Sequence, residues 1–184
     1  EMKENNLSFD TALKQAQELG FAEADPTFDI EGIDAAHKIT ILASIAFGIP
    51  INFDAVYVEG ISNLSQKDIT YAEELGYKIK LLGIAKSNNA DVEIRVHPTL
   101  VPEKRLVANV DGPMNAVLVQ GNMVGPTLYY GAGAGAEPTA SAVVADVIDI
   151  ARQTKLSNKT LIPSLGFMPD KIRKKNILSI ENIF

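Results

Sequence analysis

The run KIKLLGIAKSNNADVEIRVHPTLV, residues 78–101, decides the architecture. Apolar and polar residues alternate on both sides of Asn88 and Asn89, the period of a strand with one buried face, and an Asn pair tolerates the left-handed backbone of a tight hairpin turn. An antiparallel pair is expected here. Before it the rhythm is helical. Ser65 with Asp68 three residues on has a capping arrangement and opens a helix ending at Leu75 and Gly76. A second helix is expected from Asp34 through HKITILASIAF to a stop at Gly48 and Pro50; it is apolar almost all round after Lys38, which implies burial in the core. Ser8, the run FDTALKQAQEL and Gly20 read as a capped amphipathic helix. Beyond the hairpin, strands are expected around 104–110, 115–120 and 127–130, and a last helix from Pro138 to Arg152. Helices flanking hairpin-connected strands define an α+β fold, a mostly antiparallel or mixed sheet with helices packed on one face.

Composition narrows the chemistry. The 184 residues, 46% of them hydrophobic, suffice for one compact domain, expected over 1–153. Residues 154–184 have proline, scattered basic residues and weak periodicity, and read as a connection to something further. The absence of cysteine removes disulfides, thiolate zinc sites and a cysteine nucleophile, and with His37 and His97 the only histidines no protein-only metal centre is expected. The net charge of -6 and dispersed basic residues, apart from Lys171, Arg173, Lys174 and Lys175, argue against nucleic acid as a partner. The most apolar stretch, 39–51, is too short to span a bilayer, and no signal peptide precedes the first helix, so a cytoplasmic protein without a membrane partner is expected.

The segment from Glu23 to Lys38 carries the candidate chemistry. Glu23, Asp25, Asp29, Glu31 and Asp34 crowd a loop that leads into the apolar helix, and Asp34 and Lys38 stand four apart, on one helical face. A lysine held between carboxylates at the edge of a core can donate or accept a proton if partial burial tunes it. On spacing alone the favoured reading is plainer: Asp34 caps the helix, Lys38 pairs with it at the surface, and the other acids are solvated.

GFAEADPTFDIEGIDAAHK at 20–38 resembles the signature of homoserine dehydrogenases, and VYVEGI at 56–61 and YYGAGAGAEPTASAVVADVID at 129–149 resemble the same family in the same order. The resemblance implies that Glu23 binds the amino group of homoserine. It makes Lys38 the proton donor or acceptor at the substrate's side-chain oxygen, with Asp34 holding both substrate and lysine. Asp29 would organise the cluster from behind, and Phe21 stands where many members carry tyrosine. The implied reaction moves a hydride between the alcohol carbon of L-homoserine and NAD or NADP, giving L-aspartate 4-semialdehyde, a step of threonine, methionine and isoleucine biosynthesis. Gly133 and Gly135 are the implied cofactor-side residues, with Gly20 as a neighbour of the nicotinamide; close helix packing explains these glycines equally well.

Gly131, Gly133 and Ala136 satisfy a loose G-x-G-x-x-A, but the acidic residue of a dinucleotide fingerprint would fall inside the last helix or its exit, so the Rossmann reading is rejected. The family's nucleotide domain and its second active-site lysine precede the substrate domain and are not in this sequence. Many members continue into a regulatory ACT domain, where 154–184 would lead. The chain alone is therefore expected to be inactive, and a homodimer or higher homo-oligomer is expected. Two other readings stay open: a non-catalytic oligomerisation module, and the dehydrogenase half of an enzyme that also phosphorylates aspartate. His37 is expected to face away from Lys38, and His97 to be structural at a strand end.

Overall fold

The computed structural model describes residues 7–18, 24–88, 91–112, 114–133 and 135–155. The chain forms two compact units, one built from residues up to Lys104 and one beginning at Arg105.

The first unit opens with α1 (Phe9–Glu18), whose start is held by Ser8: its carbonyl accepts from Ala12 N–H at 3.0 Å and its hydroxyl lies 2.9 Å from that of Thr11. The expected loop contains a single helical turn, α2 (Thr27–Ile30). It forms because the Asp25 carboxylate accepts from the Thr27 N–H and hydroxyl, at 3.1 and 2.6 Å, which organises the turn more firmly than the pattern of apolar residues foretells. The bonds to Thr27 also pull the Asp25 carboxyl below its ordinary value.

Helix α3 (Ile33–Phe47) starts one residue before Asp34, with Gly32 rather than Asp34 at the cap in the left-handed region, φ 76°. It ends as expected at Gly48, φ 69°, whose N–H bonds Ser44 O at 3.0 Å. Its expected all-round burial is not met among the described residues: Ala36, Thr40, Ala43 and Ser44 are buried while Ile41, Leu42 and Ile45 are exposed. Small residues line the packed side, so the helix lies close to its sheet and its larger apolar side chains point elsewhere. The buried hydroxyls are satisfied locally, Thr40 on Ala36 O at 2.6 Å and Ser44 on Ile49 O at 2.5 Å.

The sheet of this unit has the order β1-β3-β2, from β1 (Tyr57–Val58), β2 (Tyr77–Ser87) and β3 (Val92–Pro102). β2 and β3 form the expected antiparallel pair, with Gly83 opposite Val96 and Ser87 opposite Val92; Asn89 of the expected turn lies outside the described residues. The parallel partner β1, two residues long, is too short to show a period. Val92, Ile94 and Val96 on one face pack with Ala36, Ala43, Ile49 and Val56, and with the half-buried Ile39. A Cβ on Gly83 would stand 3.0 Å from that of Ile39, so the glycine is what lets α3 approach. All of 92–96 is buried, unlike the half-exposed strand expected, because β3 is central and its second face carries an enclosed Glu93–Arg95 ion pair. His97 lies within β3, not at its end; Pro98, whose missing N–H would break a central ladder, comes after the last residue paired with β1. Helix α4 (Gln66–Glu74) has the capping box foreseen: Ser65 Oγ accepts from Asp68 N–H and Asp68 accepts from Ser65 N–H at 2.8 Å.

In the second unit the strand expected at 104–110 is instead a turn of 3-10 helix, Leu106–Asn109. The Arg105 carbonyl accepts from both Ala108 N–H (3.1 Å) and Asn109 Nδ2 (3.0 Å), and this local bonding overrides the alternation. Strands β4 (Met114–Gly121) and β5 (Gly125–Ala132) pair antiparallel as a separate two-stranded sheet, followed by α5 (Ala136–Lys155). The α+β class holds, with the strands divided between two sheets. No helix is long and apolar enough to cross a membrane among the described residues.

Candidate functional site

Asp34 and Lys38 are brought together on the first turns of α3, Oδ2 to Nζ at 2.5 Å. The order suits the helix, with the acid in the first turn facing the exposed amide N–H groups and the lysine one turn on. Lys38 is 67% and Asp34 40% exposed, so the pair is anchored in backbone but open to an incoming group. Among the described residues the pair stands at the surface, as the reading from spacing has it.

Three features fix the backbone beneath this pair. Gly32 joins α2 to α3, its N–H bonding Asp29 O at 3.1 Å, and a Cβ there would lie 3.0 Å from Val96 Cγ1. Asp29 is thereby placed one tight turn before Asp34, on α2. On another side, His37 packs between Phe28 of α2 and Phe53, with ring centroids 5.5 and 4.4 Å away. This agrees with His37 being a packing residue rather than a base. Finally, Ile61 N–H bonds Ile30 O at 2.7 Å while Glu59 N–H bonds Val96 O at 2.8 Å, so the segment VYVEGI bridges α2 and the sheet. In that segment the Tyr57 hydroxyl donates to Glu59 Oε2 at 2.8 Å, and the neighbouring carboxylate pushes the phenol's pKa up.

The sequence reading passed over Phe28, Phe53 and Gly60 in this neighbourhood; only the resemblance of VYVEGI pointed there, and a packing contact between distant segments has no local signature. Gly20, Phe21 and Glu23 lie outside the described residues. Gly133 and Gly135 fall in the second unit, on the link from β5 to α5. Gly135 has φ 116°, a conformation that favours glycine, and its carbonyl accepts from Thr139 N–H at 3.2 Å, shaping the entry to α5. A Cβ on Gly133 would collide with the Asn115 side-chain amide, and one on Gly131 would meet open space. The link leads into the 20-residue α5. It is not a Rossmann crossover, since β5 pairs antiparallel with β4. Among the described residues no group of three or more His, Asp or Glu is arranged to hold a metal.

A crystal structure of a homoserine dehydrogenase from Thiobacillus denitrificans superposes with a TM-score of 0.84 at 62% identity, covering 95% of this chain and 41% of that one. A hyperthermophilic archaeal homoserine dehydrogenase in complex with NADPH superposes with a TM-score of 0.65 at 27% identity, over 81% of this chain and 42% of that one. These neighbours put the chain among the dehydrogenases, a class of oxidoreductase. The homoserine dehydrogenase family model matches residues 1–148, and the chain belongs to that family. The homoserine dehydrogenase of Neisseria gonorrhoeae is 60% identical over 183 residues, 100% of this chain and 42% of the relative, so the chain spans about two-fifths of the length of such relatives.

Proposed function

We propose that the chain is the substrate-handling portion of an NAD(P)-dependent homoserine dehydrogenase that interconverts L-homoserine and L-aspartate 4-semialdehyde, a cytoplasmic enzyme of threonine, methionine and isoleucine biosynthesis. The observation that carries the reading is the exposed Asp34–Lys38 pair on a rigidly seated helix start, inside the segment that resembles the family signature.

In the proposed mechanism Lys38, as the neutral amine, takes the hydroxyl proton of homoserine as the hydride leaves the carbinol carbon, and as the ammonium returns it to the aldehyde oxygen in the reverse direction. In the reverse direction its ammonium form stabilises the negative charge that develops on the aldehyde oxygen, an effect that grows when water is excluded from the pair. Asp34 holds the lysine at 2.5 Å and aims it. Glu23 binds the substrate ammonium and Asp29 orders the acids from behind. Gly20, Gly133 and Gly135 lie on the cofactor side. NAD or NADP, when bound, supplies the hydride acceptor. We place the domain itself at 1–153 with 154–184 leading away from it, and we include a homodimer in the proposal: β4 and β5 carry exposed Val117, Leu118, Val119, Tyr129 and Tyr130, which suit self-association.

The test exchanges this chain for the matching stretch of the Neisseria gonorrhoeae enzyme, to which it is 60% identical. Lys38→Ala in that chimera is expected to lower kcat by about 10²- to 10⁴-fold without loss of folding, because Lys38 is exposed. Unchanged turnover would overturn the reading in favour of an interaction module.

A further inference from the structure

Gly60 makes the tightest backbone approach near the site. A Cβ placed on it would stand 2.5 Å from Glu31 Cα and 2.8 Å from Glu31 Oε2, and closer still to the Ile30 carbonyl oxygen. Two of these atoms are backbone, so a side chain at 60 cannot be accommodated by a rotamer change; the end of α2 has to move. The need for glycine here is purely spatial, because Gly60 is not among the glycines of positive φ. Its neighbours Glu59 and Ile61 clamp the sheet and α2 respectively, so Gly60 forms the spacer between β3 and the helical turn that carries Asp29.

We propose that Gly60 is a positioning residue for the homoserine site: by allowing backbone-to-backbone contact it sets where α2, and with it Asp29, stands relative to Asp34 and Lys38. The inference rests on the functional reading above and extends it to the segment VYVEGI, which has no part in the chemistry itself. A Cβ at 60 pushes α2 outward, breaks the bond from Ile61 N–H to Ile30 O, and rotates the Gly32 turn from which α3 begins.

The experiment compares Gly60→Ala with Gly76→Ala in the chimera with the Neisseria gonorrhoeae enzyme. Gly76 has φ 79° and open space around its Cα, so alanine there strains the backbone without touching α2. Both variants lose stability, and only one displaces the site. At a temperature where all proteins are folded by circular dichroism, L-homoserine binding is measured by calorimetry and Ile61 amide exchange by NMR. Gly60→Ala is expected to weaken homoserine binding by about tenfold or more and to speed exchange at Ile61, with Gly76→Ala matching the unsubstituted chimera in both. Equal affinity in all three, or equal weakening in both variants, overturns the positioning role. Absence of homoserine binding by the unsubstituted chimera overturns the functional reading itself, and with it the role given to Gly60.

Discussion

At the scale of single residues, the Asp34–Lys38 pair and the Glu93–Arg95 pair have similar chemistry in opposite surroundings. The first is open to solvent, where an ion pair contributes about 0–1 kcal/mol. Asp34→Asn in the chimera is expected to lower kcat/KM for homoserine by about tenfold or more, with thermal unfolding shifted by no more than a few degrees. A large loss of stability with unchanged kinetics would contradict the site. The second pair is enclosed, with side chains 1% and 9% exposed, and burial lowers the pKa of the Arg95 guanidinium. Arg95 Nε also donates to His97 Nε2 at 3.1 Å, which leaves His97 Nδ1 to carry the proton toward Pro98 O at 2.9 Å. Removing one partner strands a buried charge. Glu93→Ala is expected to cost about 3–5 kcal/mol in denaturant titration, and Glu93→Met with Arg95→Leu to cost less than the single change. A double variant worse than Glu93→Ala would show that the pair contributes net stability.

Among elements, α3 and α4 show what a sequence declares and what it withholds. The box at Ser65 and Asp68 was legible because capping is a contact between residues three apart, and the hairpin of β2 and β3 because its alternation is long. The Asp34–Lys38 spacing was legible for the same reason. What covers a face was not: Ile41, Leu42 and Ile45 of α3 have the same hydropathy as Ile49, yet Ile45 is 61% and Ile49 0% exposed. Two-residue β1, the 3-10 turn at Leu106–Asn109 and the turn seated on Asp25 escaped because each depends on one or two specific hydrogen bonds rather than on a period. Ile49→Ala is expected to cost about 2–5 kcal/mol, and Ile45→Gln to stay within about 0.5 kcal/mol, in urea titrations of the chain. The cap also makes α4 acid-sensitive. The bond to Ser65 holds the Asp68 carboxyl below its ordinary value of 3.8, so its stabilisation is complete above that pH and is lost as pH falls through the depressed folded value. Amide exchange in α4 should therefore accelerate in acid in the unsubstituted chain, and Ser65→Ala should flatten that dependence; identical profiles would remove the cap from the account.

For the whole molecule, the proposed roles fall in different units. The residues proposed to handle the substrate, Asp29, Asp34 and Lys38, belong to the first, and the glycines proposed to meet the cofactor, Gly133 and Gly135, to the second. Among the described residues neither shows the parallel strand–helix–strand crossover that binds a dinucleotide, because β2 with β3 and β4 with β5 are antiparallel and β1 joins β3 as a two-residue edge. A glycine-bearing link can touch a nucleotide but has too few contacts to hold one. Hydride transfer should then require a nucleotide domain in addition to these 184 residues. With homoserine and NAD or NADP supplied together, the chain alone is expected to show no reduced-cofactor absorbance above background, whereas the Neisseria gonorrhoeae chimera turns over. Homoserine oxidation by the chain alone at a rate comparable to the chimera would mean that the cofactor is held by the β5–α5 link itself, and would move the nucleotide site into the second unit.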